Sequence, residues 1–324
     1  MTIKQRRLPR LGWQVSEVGY GMWGMGGWTG SDDGASATAL DRAVAIGCNF
    51  FDTAWAYGEG RSERLLGDLV RRHPGTRLLT ATKVPPKDRV WPGKGATPVD
   101  RVFPYDHIVE YTDRSLTNLG TDAVDLQQLH VWDDRWATDD GWKRAIEDLK
   151  RAGKIRAFGI SVNRWEPENV LHALDSNLVD FVQVVYNVFD QAPEDVLFDA
   201  CERQGIGVIA RVPFDEGSLT GTLTPQSRWP DGDFRNSYFQ TPNLQETLVR
   251  LEPLKALVDE WAESLPSVAL RFILAHPAVT TVIPGMRALA NVEANLSVSG
   301  KPLSASQLSA LRVFRWDRKP DHRP

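Results

Sequence analysis

Asp52, Tyr57, Lys83 and His130 bring a carboxylate, a phenol, an amine and an imidazole to matching places in the chain. NFFD ends in Asp52, LLTATK in Lys83 and VDLQQLH in His130, and Tyr57 lies five residues past the first of these runs. All three runs are apolar and strand-like. Taken singly, each residue has an ordinary role: loop packing for the tyrosine, solvation or an ion pair for the lysine, capping for the aspartate, local structure for the histidine. Their shared placement argues otherwise. A parallel β/α barrel gathers the C-terminal ends of its strands on one rim, where barrel active sites lie.

The chemistry predicted is proton transfer. Free tyrosine ionises at about pH 10, too high to give up its proton readily at neutral pH. A neighbouring ammonium stabilises the phenolate and lowers that value. Lys83 is placed to supply the ammonium, Asp52 to hold Lys83 charged, and His130 to hydrogen-bond the oxygen that changes charge. The set predicts a general acid for a carbonyl oxygen, or a base for an alcohol. A rival makes Lys83 the Schiff-base nucleophile of a lyase. An Asp52 partner argues against it, because pairing keeps the lysine protonated.

These residues need elements to hold them. Strand-like runs at 17–21, 49–52, 78–84, 124–130, 155–161, 180–187, 206–212 and 279–283 alternate with amphipathic helical stretches. Several runs are apolar on nearly every residue, as strands buried on both faces are. The alternation predicts one parallel sheet, and eight strands favour closure into a (β/α)8 TIM barrel over an open doubly wound sheet. We expect one domain over 1–324. LPRLGWQVSEVG predicts an N-terminal β-hairpin that plugs the barrel bottom. The long rim loops 84–105 and 213–242 follow strands and exceed plain connectors. Helices without a strand fill 243–277, and another helix begins near Ser304.

Bulk properties narrow the class. The chain has 324 residues, 42% hydrophobic, with a formal charge of −4. Nothing there predicts a nucleic acid or an anionic membrane as partner. The start, MTIKQRRLPRLG, lacks the apolar stretch of a signal peptide, so a cytoplasmic protein is expected. Cys48 and Cys201 have no metal spacing and are expected to be core thiols. His73, His107, His172, His276 and His322 are expected to be structural or solvated, and no metal is predicted. The oligomeric state is not legible.

GYGMWG at 19–24 has the glycine spacing of a dinucleotide fingerprint, but such a fingerprint needs a helix opening at its third glycine. Here the helical pattern starts only near Asp33.

NFFDTAWAYGEGRSERLLG resembles the signature of the aldo-keto reductases, and the resemblance runs from about Leu11 to Val298. It implies a barrel enzyme that binds NADP(H) without a Rossmann domain. It also implies hydride transfer between the cofactor and a small carbonyl or alcohol substrate. By that match Asp52, Tyr57, Lys83 and His130 form the catalytic tetrad, and Gly21, Met22 and Trp23 border the nicotinamide. FGISVNRW resembles the segment holding the nicotinamide amide, with Ser161 and Asn163 as candidates on either side of Val162. Gln183 matches the glutamine for the same amide. Arg211 stands where many members stack an aromatic ring on nicotinamide. PFDEGSLTG resembles the pyrophosphate loop, assigning Pro213, Phe214, Gly217, Leu219 and Gly221 to it; Asp215 and Glu216 are expected to face away or to clasp from outside. VIPGMRALANVEANL resembles the adenosine-phosphate site, with Gly285, Arg287 for the 2′-phosphate, Asn291 and Asn295. Ala294 replaces a glutamate that many members carry.

Trp23, Trp28, Trp55, Trp91, Trp132 and Trp229 fall just after strands or in the rim loops. Together they predict an aromatic-walled pocket, with Trp23, Trp55 and Trp132 as substrate contacts. Such walls suit a sugar, a polyol or an aromatic aldehyde. A regulatory, cofactor-sensing barrel remains a third reading of the same resemblance.

Overall fold

The computed structural model describes residues 3–28 and 30–317. Among them, eight parallel strands follow one another around a barrel: β3 (Tyr20–Gly21), β4 (Phe50–Asp52), β5 (Leu79–Val84), β6 (Val124–Leu129), β7 (Ile155–Ser161), β8 (Phe181–Val185), β9 (Gly207–Arg211) and β10 (Val279–Val282). Parallel bridges Val18 to Val282 and Gly21 to Gly285 bring the first strand against the last. Gly21 is needed there, because a Cβ would lie 2.7 Å from the Ile283 carbonyl. The expected strand positions are all met, although the first shrinks to two residues.

Ahead of the barrel, β1 (Gln5–Leu8) and β2 (Trp13–Ser16) form the expected antiparallel hairpin. Leu8 and Val15 join Phe50, Leu79, Ala81, Leu126, Ala157, Phe181 and Ile209 in one apolar cluster. The hairpin thus seals the barrel end away from the strand C-termini. It is also tied to the other end of the chain. The Arg6 guanidinium donates to the carbonyls of Leu274, His276 and Val279. Glu17 accepts from the Ser299 hydroxyl and the Gly300 N–H, each at 2.8 Å.

Helices form where the pattern places them, and their ends follow local chemistry. Asp32 caps Asp33–Ile46 by accepting from the Ala35 N–H, and Ser304 closes a capping box with Gln307. Gly47, Gly120 and Gly205 end their helices in the left-handed conformation. One of the amphipathic stretches between strands, EPENVLHALDS, yields only the short helix Leu171–Leu174. The Asn169 side chain reaches instead to the β6 loop, bonding the Trp132 carbonyl and the Asp134 N–H. No helix of the described residues is long and apolar enough to cross a membrane. His322 and the tail beyond Asp317 lie outside the described residues.

Candidate active site

A strand's side chains alternate faces, so a step of two keeps the same face. Two residues beyond the apolar interior layer of Phe50, Ala81, Leu126, Phe181 and Ile209 stand Asp52, Lys83, Gln128, Gln183 and Arg211. The barrel thus carries a polar layer on an apolar floor.

That layer is tightly bonded. Lys83 is fully buried, and its Nζ donates to Asp52 Oδ2 at 2.6 Å and to the Thr53 carbonyl at 2.7 Å. Asp52 Oδ1 accepts from Gln128 Nε2 at 3.1 Å and from Gln183 Nε2 at 2.9 Å. The Tyr57 ring centroid lies 5.1 Å from Lys83 Nζ, and the ring meets His130 edge-on with centroids 5.8 Å apart. The four expected side chains therefore meet at one end of the barrel. Tyr57 is delivered by a tight turn in which Gly58 has φ +68°, and a Cβ there would fall 2.1 Å from the Gly26 carbonyl oxygen.

Electrostatics differ from expectation at one point. Burial pushes the Tyr57 phenol above its ordinary value, and Asp52 adds to the rise. The ammonium of Lys83 and the guanidinium of Arg211 oppose it without reversing it. The expected lowering is outweighed because desolvation penalises the phenolate more than the two cations compensate. Tyr57 therefore holds its proton at neutral pH. His130 is driven well below its ordinary value by burial, then by Lys83 and Arg211, so its ring is neutral.

The pocket wall is aromatic but differs in membership. Trp23 is 45% exposed and leans on Trp28 at 5.2 Å between centroids. Trp28 meets the edge of Tyr57 at 6.1 Å, and Trp91 meets His130 at 5.9 Å. Trp55 is nearly buried against Tyr111, under the Arg89 guanidinium. Trp132 does not line the pocket, contrary to expectation. It is fully buried, edge-on to Trp136 and Trp142, and its Nε1 donates to Asp134. It lies beyond the end of β6, where strand alternation no longer fixes a side chain's direction. Trp229 stacks on Phe239 within its own loop region.

The residues expected to hold a cofactor are distributed unevenly. Met22 is buried beside the tetrad, its N–H donating to the Asp52 carbonyl. Ser161 is buried at the end of β7. Asn163 is committed elsewhere: Oδ1 accepts from the Gly93 N–H at 3.1 Å and Nδ2 donates to the Gly93 carbonyl at 3.0 Å. It clamps the 84–105 loop that carries Trp91. Gln183 has its amide nitrogen on Asp52 and on Gln128 Oε1. Arg211 donates to the Val162 carbonyl at 2.9 Å.

In the second long loop, Pro213 and Phe214 lead into a 3-10 turn over Asp215–Thr220. That turn contains Gly217 and buried Leu219 and closes on Gly221. Asp215 turns inward to accept from the hydroxyls of Ser218 and Tyr238, and Glu216 pairs with Arg164. Both acids are thus committed to protein partners. Arg287 runs along Gly24, where a Cβ would lie 2.9 Å from its Cδ. The helix beyond Gly285 opens only at Leu289; it carries exposed Asn291 and buried Asn295.

Two site residues escaped the sequence reading. Gln128 was findable, since it precedes His130 by two and shares its face. Arg164 was not, because its partner Glu216 lies on a different loop. Among the described residues, three buried donors here, Trp28 Nε1, Arg164 Nη1 and Arg211 Nε, lack an acceptor, and the buried His130 Nδ1 has no hydrogen-bond partner. Buried donors are normally bonded, so these suit an acceptor-rich ligand such as a nicotinamide nucleotide.

The barrel and its polar rim define a (β/α)8 protein whose strand ends present a protonated phenol above a buried ammonium–carboxylate pair. The model of the Aldo/keto reductase family matches residues 17–315, and the chain belongs to that family of oxidoreductases, which use nicotinamide cofactors. It is 28% identical over 325 residues to the NADH-specific methylglyoxal reductase of Escherichia coli, covering 92% of this chain and 94% of the relative. Its fold matches an aldo-keto reductase of Bacillus halodurans in the holo form, with a TM-score of 0.76 and 26% identity over 99% of this chain and all of the other. A glycerol dehydrogenase of Gluconobacter oxydans matches with a TM-score of 0.76 and 25% identity, over 97% of this chain and 95% of that one.

Proposed function

We propose that this protein is an NADP(H)-dependent reductase of small aldehydes, ketones or sugar-like carbonyls, with Tyr57 as general acid and base. The observation that carries the proposal is geometric: the Tyr57 ring lies 5.1 Å from the Nζ of Lys83, which is paired with Asp52, and meets His130 edge-on. When bound, the cofactor supplies the hydride. The protein's own residues handle the proton. Tyr57 gives its proton to the carbonyl oxygen as charge develops there. The Lys83 ammonium stabilises the phenolate left behind, and Asp52, braced by Gln128 and Gln183, fixes that ammonium. His130, neutral and facing Tyr57, orients the carbonyl. Trp23, Trp28 and Trp91 flank the approach and exclude water.

The lyase alternative is disfavoured by the same geometry. A Schiff base needs a free amine, and Lys83 Nζ is engaged by a carboxylate and a carbonyl. NADP(H) is preferred over NAD(H) on the strength of Arg287, while the NADH-specific relative marks the opposite choice within the family. Names of relatives that act on methylglyoxal and glycerol point to compact substrates. One domain spans the chain in this reading. Two free, buried cysteines suit a reducing cytoplasm.

The test is Tyr57→Phe. Losing a positioned general acid lowers turnover by about 10²–10⁴, while NADPH binding, followed by tryptophan fluorescence, stays near wild type. Turnover unchanged in that variant, measured by absorbance of the reduced cofactor against a panel of aldehydes and ketones, would refute the assignment.

A further inference from the structure

The charges gathered at the mouth of the barrel do not cancel. Lys83 is neutralised by Asp52 at 2.6 Å, and Arg164 by Glu216. His130 is neutral, and Tyr57 keeps its proton. Among the described residues of the polar layer, Arg211 is the cation with no carboxylate bonded to it. Its polar anchor among the described residues is the Val162 carbonyl, and its Nε is buried with no acceptor. The carboxylates that act on it electrostatically, Glu216 and Asp52, are ion-paired with other cations.

Desolvation and neighbouring Arg164 bring the Arg211 guanidinium down to about 10, so it stays charged at neutral pH. An uncompensated charge in such a place is expensive to keep. Its position gives it a use. Arg211 ends β9 in the same interior layer as Asp52, Lys83 and Gln183, within electrostatic reach of Tyr57. Any ring that exchanges hydride with a carbonyl held by Tyr57 and His130 must lie close to this guanidinium. A nicotinamide ring carries a positive charge when oxidised and none when reduced. A planar guanidinium also packs well against a neutral ring.

We propose that Arg211 makes the site discriminate the redox state of its cofactor, holding the reduced, uncharged ring more tightly than the oxidised, cationic one. The proposal rests on the reading that the barrel mouth binds a nicotinamide cofactor. It gives the reductive direction a physical basis. Once hydride has left, the new ring cation faces a fixed positive charge, and the spent cofactor is released more readily.

The experiment measures dissociation constants of NADPH and NADP⁺ by quenching of tryptophan fluorescence, with no substrate present. NADH and NAD⁺ are titrated in parallel, so the 2′-phosphate preference does not decide the outcome. Wild type should bind the reduced form more tightly. Arg211→Met should shrink the oxidised-to-reduced ratio of constants by about tenfold or more, the scale of one unit charge a few Å away in a partly screened interior. Arg211→Lys, which keeps the charge, should leave the ratio near wild type. Arg211→Gln is a second neutral variant should the methionine form fold poorly.

A ratio unchanged in the neutral variants overturns the proposal. So does a lysine variant that shifts as far as methionine, because shape and not charge would then be responsible. A third overturning result is an unchanged ratio with a raised KM confined to carboxylate-bearing substrates, which would make Arg211 an anchor for the substrate. Failure of the wild-type protein to bind any of the four nucleotides overturns the underlying reading itself.

Discussion

Breaking the Lys83–Asp52 pair from one side should cost far more than removing both charges. Lys83 is fully buried, and among the described residues Asp52 is the anion that touches its ammonium. At 2.6 Å, Coulomb attraction through an effective dielectric of about 20 is about 6 kcal/mol. Asp52→Asn forfeits it and leaves the ammonium with the Thr53 carbonyl as its main acceptor. Lys83→Met strands the carboxylate, although Gln128 and Gln183 still donate to it. Each single variant should lose about 3–5 kcal/mol, the range for an uncompensated buried charge. Asp52→Asn should sit at the upper end, because fewer groups remain to solvate the orphaned ion. The double variant leaves no ion stranded and should recover most of the loss. Guanidinium denaturation of wild type, both singles and the double gives the coupling directly. Additive losses, or single losses below about 1 kcal/mol, would refute the view that these charges chiefly compensate each other.

Further outcomes follow from His130 and Asn163. The folded-state ionisation of His130 is depressed, so below about pH 6.5 the unfolded chain binds a proton that the folded chain refuses. Its contribution to stability is present above that pH and is lost on acidification, by up to about 1.4 kcal/mol per pH unit. His130→Gln should flatten this part of the stability–pH curve; curves that coincide with wild type would contradict the neutral ring. Asn163→Ala removes both bonds to Gly93, at about 1–3 kcal/mol for buried groups left unpaired. Hydrogen exchange should rise selectively in 84–105. KM should increase more than kcat falls, since Trp91 moves with the loop. Exchange unchanged in that segment would dismiss the clamp.

What the sequence disclosed depended on how local the determining contact was. Strand ends were visible because Asp52, Lys83 and His130 each stand at or next to the end of an apolar run. Period two then carries over to Gln128, Gln183 and Arg211 with no tertiary information. Trp132 was misplaced because a tryptophan after a strand looks the same whether it faces the pocket or the helix layer. Asn163 was legible as a rim residue but not as a clamp, because Gly93 lies in a separate loop. The direction of the Tyr57 shift was missed for a related reason. Charges can be counted along a chain, whereas the desolvation that outweighed them depends on everything packed around the phenol.

The two ends of this chain complete one ring. Val18 meets Val282, Arg6 grips the segment around Leu274 to Val279, and Glu17 holds Ser299 and Gly300. During synthesis, then, the first strands wait with an open edge until the last strand has emerged. The partly made protein is a growing curved sheet whose plug has nothing yet to seal. Contacts of such long sequence separation slow folding, and open strand edges invite pairing with other chains. A truncation that removes either of these segments should leave the sheet unclosed.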